Sequence, residues 1–180
     1  DNCGHPSIAS FPTSFEKNWA IFNSSSKERI VYSLDPWIMF NKAGQASYKF
    51  EACVEWSSKL STLLGGPPRF SSHLQPVELV GINQDVSLGV FHVKTNGYVY
   101  KQYLFLADNK TGLPLCVNLD PFLCVDTKYA SRDEFMAYHH VKNAGVCYIS
   151  SVAIHGEKLA IELNLFDTEL YVLVVDLVDI

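Results

Sequence analysis

The feature that most constrains the fold is a succession of short strand-forming segments separated by tight turn signals. Apolar and polar residues alternate from Tyr48 to Trp56, which is the period of a strand with one buried face. The pair Asn96-Gly97 lies between two apolar segments, residues 86–93 and 98–106, and favours a hairpin because both residues tolerate positive φ. The pattern predicts an all-β fold built from antiparallel hairpins.

Further segments fit the same pattern. Residues 29–34 follow a serine-rich turn and predict a strand, and residues 152–154 and 158–163 flank a second hairpin turn. Residues 170–177 are apolar and β-branched, so they predict a buried strand. Residues 65–68 predict a loop, and the capping-box spacing from Ser131 predicts a short helix over 131–138.

Composition excludes several classes of protein. The chain has 180 residues, 48% of them hydrophobic and only 18% charged, which is typical of a folded chain rather than a disordered one. Its net charge of −5 argues against a nucleic-acid partner, which requires a basic face. No run of about 18 apolar residues predicts a transmembrane segment. No phosphate-binding loop or dinucleotide fingerprint is present, so we predict no cofactor.

The five cysteines are not spaced as CxxC pairs, and the adjacent histidines at 139 and 140 have no partner at ligand spacing, so we predict no metal site. Cys116 and Cys124 either close a local disulfide loop or are buried as small apolar side chains. Glycosylation sequons begin at Asn23 and Asn109. They point to the secretory pathway or an extracellular location.

Four segments, in this order, resemble the later blades of five-bladed β-propeller glycan-active proteins, the β-mannoside phosphorylase and mannosidase-like family. The segments are residues 15–22 with 30–36, residues 65–69, residues 87–92, and residues 147–151 with 166–169. The first contains the family's (D/E)KNW-x-x-F pattern, and the third resembles its strand ending in a site-facing histidine. The last lacks the Gly and Tyr that are usual in the closing motif.

The resemblance implies four-stranded antiparallel blades in a partial or five-bladed β-propeller. Residues 1–180 would form a single propeller-like domain, the C-terminal part of a longer chain. A blade takes roughly 40–50 residues, so this length supplies about four at most. The missing blades would come from another chain segment or subunit, because an open propeller exposes sheet edges. The family's Asp-Pro-Arg segment and catalytic Asp have no counterpart here.

The resemblance also implies a binding site for a sugar, with or without phosphate. Lys17 would supply a positive charge, Asn18 would hydrogen-bond to sugar hydroxyls, and His92 would donate to an oxyanion or titrate near neutral pH. Asp167 matches a closing-blade Asp that contacts sugar. Each has a structural alternative: a turn for Lys17 and Asn18, a satisfied core or surface histidine for His92, and an exposed turn for Asp167. The three tryptophans either stack on sugar rings or belong to the core.

Two classes of function follow. The first is a glycosidase-like or phosphorylase-like enzyme acting on a glycosidic bond, whose catalytic acid remains unassigned. The second is a non-catalytic glycan-binding, protein-interaction or structural β domain. Neither class of function specifies the sugar or its linkage.

Overall fold

The computed structural model describes residues 19–24, 27–43, 47–54, 57, 59–79, 84–95, 100–124, 147–165 and 169–177. Within these residues the fold is all-β with antiparallel sheets, as predicted. The elements in chain order are β1 (Ala20–Ser24), β2 (Lys27–Leu34), β3 (Trp37–Ala43), β4 (Ser47–Val54), α1 (Leu60–Leu64), β5 (Pro68–Phe70), β6 (Gln75–Val77), β7 (Val86–Lys94), β8 (Tyr100–Asp108), β9 (Pro114–Val117), β10 (Leu123–Cys124), β11 (Cys147–His155), β12 (Lys158–Leu165) and β13 (Glu169–Asp176).

The strands form three sheets. The first has the order β1-β2-β3-β4, and the third has the order β11-β12-β13. The central sheet has the order β10-β8-β7-β5, with β6 also paired to β7 and β9 also paired to β8. The central sheet is therefore four strands wide. Two short strands follow one another along each edge: β5 and β6 pair with β7, and β9 and β10 pair with β8. No closed barrel or propeller is formed within the described part of the chain.

The central sheet is buried on both faces. Alternate residues of β7 and β8, such as Phe91 and Phe105, pack with the first sheet around Trp37. The intervening residues, such as Val90 and Leu104, pack with the third sheet in a separate apolar cluster. Because successive side chains of a strand point to opposite faces, the apolar run in β7 supplies both layers. The molecule is thus a stack of three sheets with two apolar layers.

Most of the predicted strands are confirmed, including both hairpins. The buried strand over residues 170–177 is only half right. A strand, β13, is present, but Leu170, Val172 and Val174 are 62%, 67% and 55% exposed. The physical reason is that, among the described residues, β13 pairs only with β12 and no other element packs extensively against it, so its apolar composition does not bury it.

Other local predictions have mixed outcomes. Cys116 is an exposed free thiol, so it is neither in a disulfide nor buried. It lies in β9, a short strand paired to β8 at one edge of the central sheet, where its side chain is exposed. Helix α1 was not predicted; it ends at Gly65, whose φ of 76° closes the last turn. The helix expected over 131–138 lies outside the described residues, as do His139 and His140.

Gly89 creates space for an aromatic cluster around Phe105. It pairs with Phe105 across β7 and β8, and a Cβ atom on it would lie 2.2 Å from Cζ of Phe105. The Phe105 ring cannot retreat easily, because Trp37, Phe70 and Phe91 all contact it. The absence of a side chain at residue 89 is therefore a packing requirement rather than a turn requirement.

We predict that Gly89→Ala lowers the free energy of unfolding by about 1–3 kcal/mol, because it overpacks a filled layer. Urea unfolding followed by tryptophan fluorescence measures the change. In a Phe105→Leu background the same substitution should cost less, since the shorter side chain leaves room for the methyl group. An equal cost in both backgrounds would show that the Phe105 ring is not the obstacle.

Candidate functional site

A break in one edge of the central sheet positions the site. β5 and β6 pair with different halves of β7, and residues 71–74 lie between them. At the break the backbone N–H groups of Ser71 and Ser72 both donate to the Val90 carbonyl, at 2.9 and 3.2 Å. The Val90 N–H donates in turn to the Ser72 hydroxyl at 3.1 Å. The backbone N–H groups at the interruption thus have hydrogen-bond partners nearby. The Ser71 hydroxyl forms hydrogen bonds with other side chains.

His92 hydrogen-bonds to a side chain from this break. It lies in β7, opposite Gln102 in β8 and Arg69 in β5, and its side chain is 4% exposed. Its Nδ1 lies 2.8 Å from the Ser71 hydroxyl, which donates to Oε1 of Gln102 at 3.0 Å. Ser71 and Gln102 are also buried. Three polar side chains therefore form one connected network inside the sheet stack, which is how buried polar groups avoid a desolvation penalty.

The network fixes the form of the imidazole. Because the only hydroxyl proton of Ser71 goes to Gln102, the Ser71 oxygen accepts from His92, and Nδ1 carries the proton. This assignment leaves Nε2 with its lone pair in the neutral ring. Burial, and secondarily the positive charge of Arg69, lowers the pKa of His92 from 6.5 to about 4. His92 is therefore neutral at pH 7.

Two tyrosines contact the imidazole. The ring centroid of Tyr100 lies 5.2 Å from that of His92, and the centroid of Tyr148 lies 5.6 Å away with the rings nearly perpendicular. Tyr148 belongs to β11, so the site lies where the central and third sheets meet. Burial raises the pKa of Tyr148, which keeps its phenol protonated. The Lys94 ammonium lies 5.9 Å from the Tyr100 ring centroid.

The arrangement combines a neutral hydrogen-bond acceptor with donors and aromatic surface. Nε2 of His92 can accept a proton or a hydrogen bond, and both tyrosines are half-buried beside it. Arg69 and Lys94 are exposed and supply positive charge at the rim. Such a site suits an uncharged ligand with hydroxyl groups, or one that also bears an anionic group near the rim. Because burial lowers the pKa of His92 to about 4, the imidazole is neutral near pH 7, and its role in a ligand site stays a prediction.

Of the other residues predicted from the sequence, the structure describes only some. Lys17, Asn18 and Asp167 lie outside the described residues, so their roles stay predictions. At Asn109, the amide nitrogen donates to the Val86 carbonyl at 3.1 Å, and the amide oxygen accepts from the Ser87 hydroxyl. The side chain of Asn23 also lies outside the described residues. Glycosylation of both asparagines stays a prediction.

Sequence reasoning missed the partners of His92. Ser71, Gln102 and Tyr148 lie 21, 10 and 56 residues from it in the sequence, and no motif joins them. Only Gln102 had an available signal, since the predicted hairpin brings β7 and β8 together. The other two depend on a strand interruption and on contact between sheets.

One contact connects β1 to the strand break. The Ile21 N–H donates to Nδ1 of His73 at 3.1 Å, and the Leu74 N–H donates to the Ile21 carbonyl at 3.2 Å. Ile21 follows Asn18 by three residues, and His73 follows Ser71 by two. The first sheet therefore reaches the same segment that carries Ser71.

The tryptophans divide between core and surface. Trp37 is fully buried, whereas Trp19 is 38% exposed and contacts Tyr32, with ring centroids 5.8 Å apart. Trp56 lies outside the described residues. Within the part of the chain that is described, no group of three or more His, Cys, Asp or Glu side chains is placed to hold a metal ion. No helix there is long and apolar enough to cross a membrane.

The low pKa of His92 predicts a specific acid sensitivity. Between about pH 6.5 and pH 4 the unfolded chain binds a proton at this residue and the folded chain does not, so stability falls as the pH falls through that window. The shift corresponds to a loss of about 3 kcal/mol in the free energy of unfolding. Urea unfolding at a series of pH values measures it.

The matched variants are His92→Gln and His155→Gln. His92→Gln should lose the part of the acid dependence that one histidine contributes, whereas substitution of the exposed His155 should retain it. If His92→Gln and the unsubstituted protein show the same slope between pH 6.5 and pH 4, the buried neutral histidine is not the cause.

Comparison with known proteins supports the fold and leaves the family open. No protein-family model matches the chain, and no curated protein matches it. Among solved structures, the chain is similar to a "putative glycoside hydrolase" from Bacteroides ovatus ATCC 8483, with a TM-score of 0.53 and 14% sequence identity. The similarity covers 93% of this chain and 53% of that one, so this chain spans about half the length of the structure it matches. The two proteins share an all-β fold over that region.

Proposed function

We propose that this chain is part of a carbohydrate-active β-propeller and binds a glycan at the site around His92. The observation that carries the proposal is the buried network of His92, Ser71 and Gln102, located where two sheets meet and contacted by two tyrosines. A core residue needs no such arrangement, because apolar side chains would fill the layer at lower cost. The fold shared with the Bacteroides ovatus protein supports the glycan assignment.

The chemistry of the site matches that of a sugar. A pyranose presents hydroxyl groups that donate and accept hydrogen bonds, and an apolar face that packs on aromatic rings. In the proposal, Nε2 of His92 accepts from a sugar hydroxyl, and Tyr100 and Tyr148 supply phenol groups and ring surface. Because His92 is neutral at pH 7, it binds without requiring a charged partner on the ligand.

Lys17, Asn18 and Asp167 complete the proposed site. Lys17 supplies positive charge to a phosphate or a developing oxyanion, Asn18 bonds to sugar hydroxyls, and Asp167 accepts from them. The hydrogen bonds between Ile21 and residues 73–74 support including the first two, since they bring β1 to the segment that holds Ser71. Asp167 is included on the resemblance of its segment to the family's closing blade.

The finer assignment is a five-bladed propeller of the β-mannoside phosphorylase and mannosidase-like family. The face-to-face stack of three sheets, with a first sheet and a central sheet four strands wide, supports a succession of blades. In this proposal the remaining blades come from another chain segment or subunit.

A second candidate function is glycan binding without catalysis. Glycoside hydrolysis requires a carboxylic acid beside the scissile bond. Among the described residues, the groups that contact His92 are a hydroxyl and two tyrosine rings, and the only charge that shifts its pKa is that of Arg69. This environment favours a binding role for the His92 site, with any catalytic acid supplied elsewhere.

We predict that the protein binds oligosaccharides on a glycan array, and that His92→Gln weakens binding at least about tenfold. Tyr148→Phe should weaken it by a smaller factor, because it removes one hydroxyl and keeps the ring. His155→Gln is the matched control on another surface, since His155 is exposed at the end of β11, and it should bind as the unsubstituted protein does. Equal binding by the His92 and His155 variants, with the fold intact by circular dichroism, would contradict the proposal.

Turnover separates the two candidate functions. The enzyme candidate predicts release of the aryl group from an aryl β-mannoside, or release of a sugar phosphate when inorganic phosphate is added, and loss of either in Asp167→Asn. The binding candidate predicts glycan binding with no product in either assay. Turnover that is unchanged in both Asp167→Asn and His92→Gln would place the chemistry at a different site.

A further inference from the structure

A cavity lies on the face of the central sheet that packs toward the third sheet. Its volume is about 230 Å³, and most of its lining is leucine: Leu88, Leu104 and Leu106 from the central sheet, with Leu79 and Leu177 beside them. These three strand residues lie on the face of β7 and β8 that also carries His92 and Gln102. Leu104 is the next residue after Gln102 on that face, whereas Leu88 and Leu106 lie further from His92, which does not itself line the cavity.

One end of the cavity is polar and uncharged. Cys116 of β9 and Asn118, which follows that strand, line it there. The Asn118 backbone N–H donates to the Leu104 carbonyl at 3.0 Å, which holds the residue against the central sheet. Its side-chain oxygen accepts from the Asp120 N–H at 2.9 Å, so the amide NH₂ group is the end that can donate to a ligand.

From this geometry we propose that the cavity binds a small uncharged apolar molecule, aromatic or aliphatic, that carries one oxygen acceptor. An apolar cavity of 150 Å³ in an engineered protein accepts benzene, so by proportion this one holds about nine non-hydrogen atoms. None of the described residues that line it is charged, so an ion would lose hydration there without compensation. The ligand's oxygen accepts from the Asn118 amide while its apolar body contacts the leucines.

This inference does not depend on the glycan proposal. His92 is not among the described residues that line the cavity. A leucine-lined surface also offers a sugar few of the hydrogen-bond partners that its hydroxyls need. The two sites therefore select different ligands and can be tested separately in one preparation.

The experiment uses acetophenone as the probe, an uncharged aromatic ketone of that size with one oxygen acceptor, and binding is measured by isothermal titration calorimetry. We expect one saturable site with a dissociation constant below about 1 mM. Leu106→Phe places a larger side chain in the cavity and should weaken binding at least about tenfold. Leu115→Phe is the matched control: Leu115 is the neighbour of Cys116, is 42% exposed and does not line the cavity, so its substitution should leave binding unchanged.

Two further measurements guard against an unfolded variant. Asn118→Ala alters an exposed residue and should weaken acetophenone binding about fivefold, the factor expected for one lost hydrogen bond. Bound acetophenone should also slow alkylation of Cys116 by N-ethylmaleimide in the unsubstituted protein, read by peptide mass spectrometry. Absence of saturable binding, or binding that Leu106→Phe and Asn118→Ala both leave unchanged, overturns the proposal.

Discussion

Burial of the β7–β8 hairpin on both faces is the constraint on which the rest of the structure depends. Each strand has to supply apolar side chains to two layers at once, and the first and third sheets are held to the hairpin by those layers. Both strands have nine residues, so each is long enough to contribute several side chains to both layers. Gly89 and Phe105 pack closely between the strands. A change in register would disturb both layers together.

The polar site is a consequence of the same constraint. A histidine in a strand that is covered on both faces must find partners within the protein, and the interruption between β5 and β6 provides one in Ser71. The interruption costs few backbone hydrogen bonds, because Val90 accepts from both serines there. The result is a neutral imidazole with a defined proton position. It lies at the boundary between two sheets, where Tyr100 from one sheet and Tyr148 from the other contact it.

Sequence reasoning predicted the hairpin but not its register. A two-residue turn at Asn96-Gly97 would pair His92 with Lys101, whereas five residues separate the paired Lys94 and Tyr100, and His92 pairs with Gln102. This shift of one residue in the register places the Gln102 amide, rather than the Lys101 ammonium, opposite the His92 imidazole. Similarly, the apolar composition of β13 predicted a strand correctly and its burial wrongly, because composition does not reveal which strand lies at an edge.

The sequence by itself determined the all-β class and the hairpins, because strand periodicity and turn preferences are local properties of the chain. His92 became a candidate only through the resemblance of its segment to the propeller family. The tertiary structure decided the partners of His92, its neutral state, the exposure of Cys116 and β13, and the leucine cavity. Each of these depends on which sheet covers which face. Such contacts join residues far apart in the chain, and no local pattern encodes them.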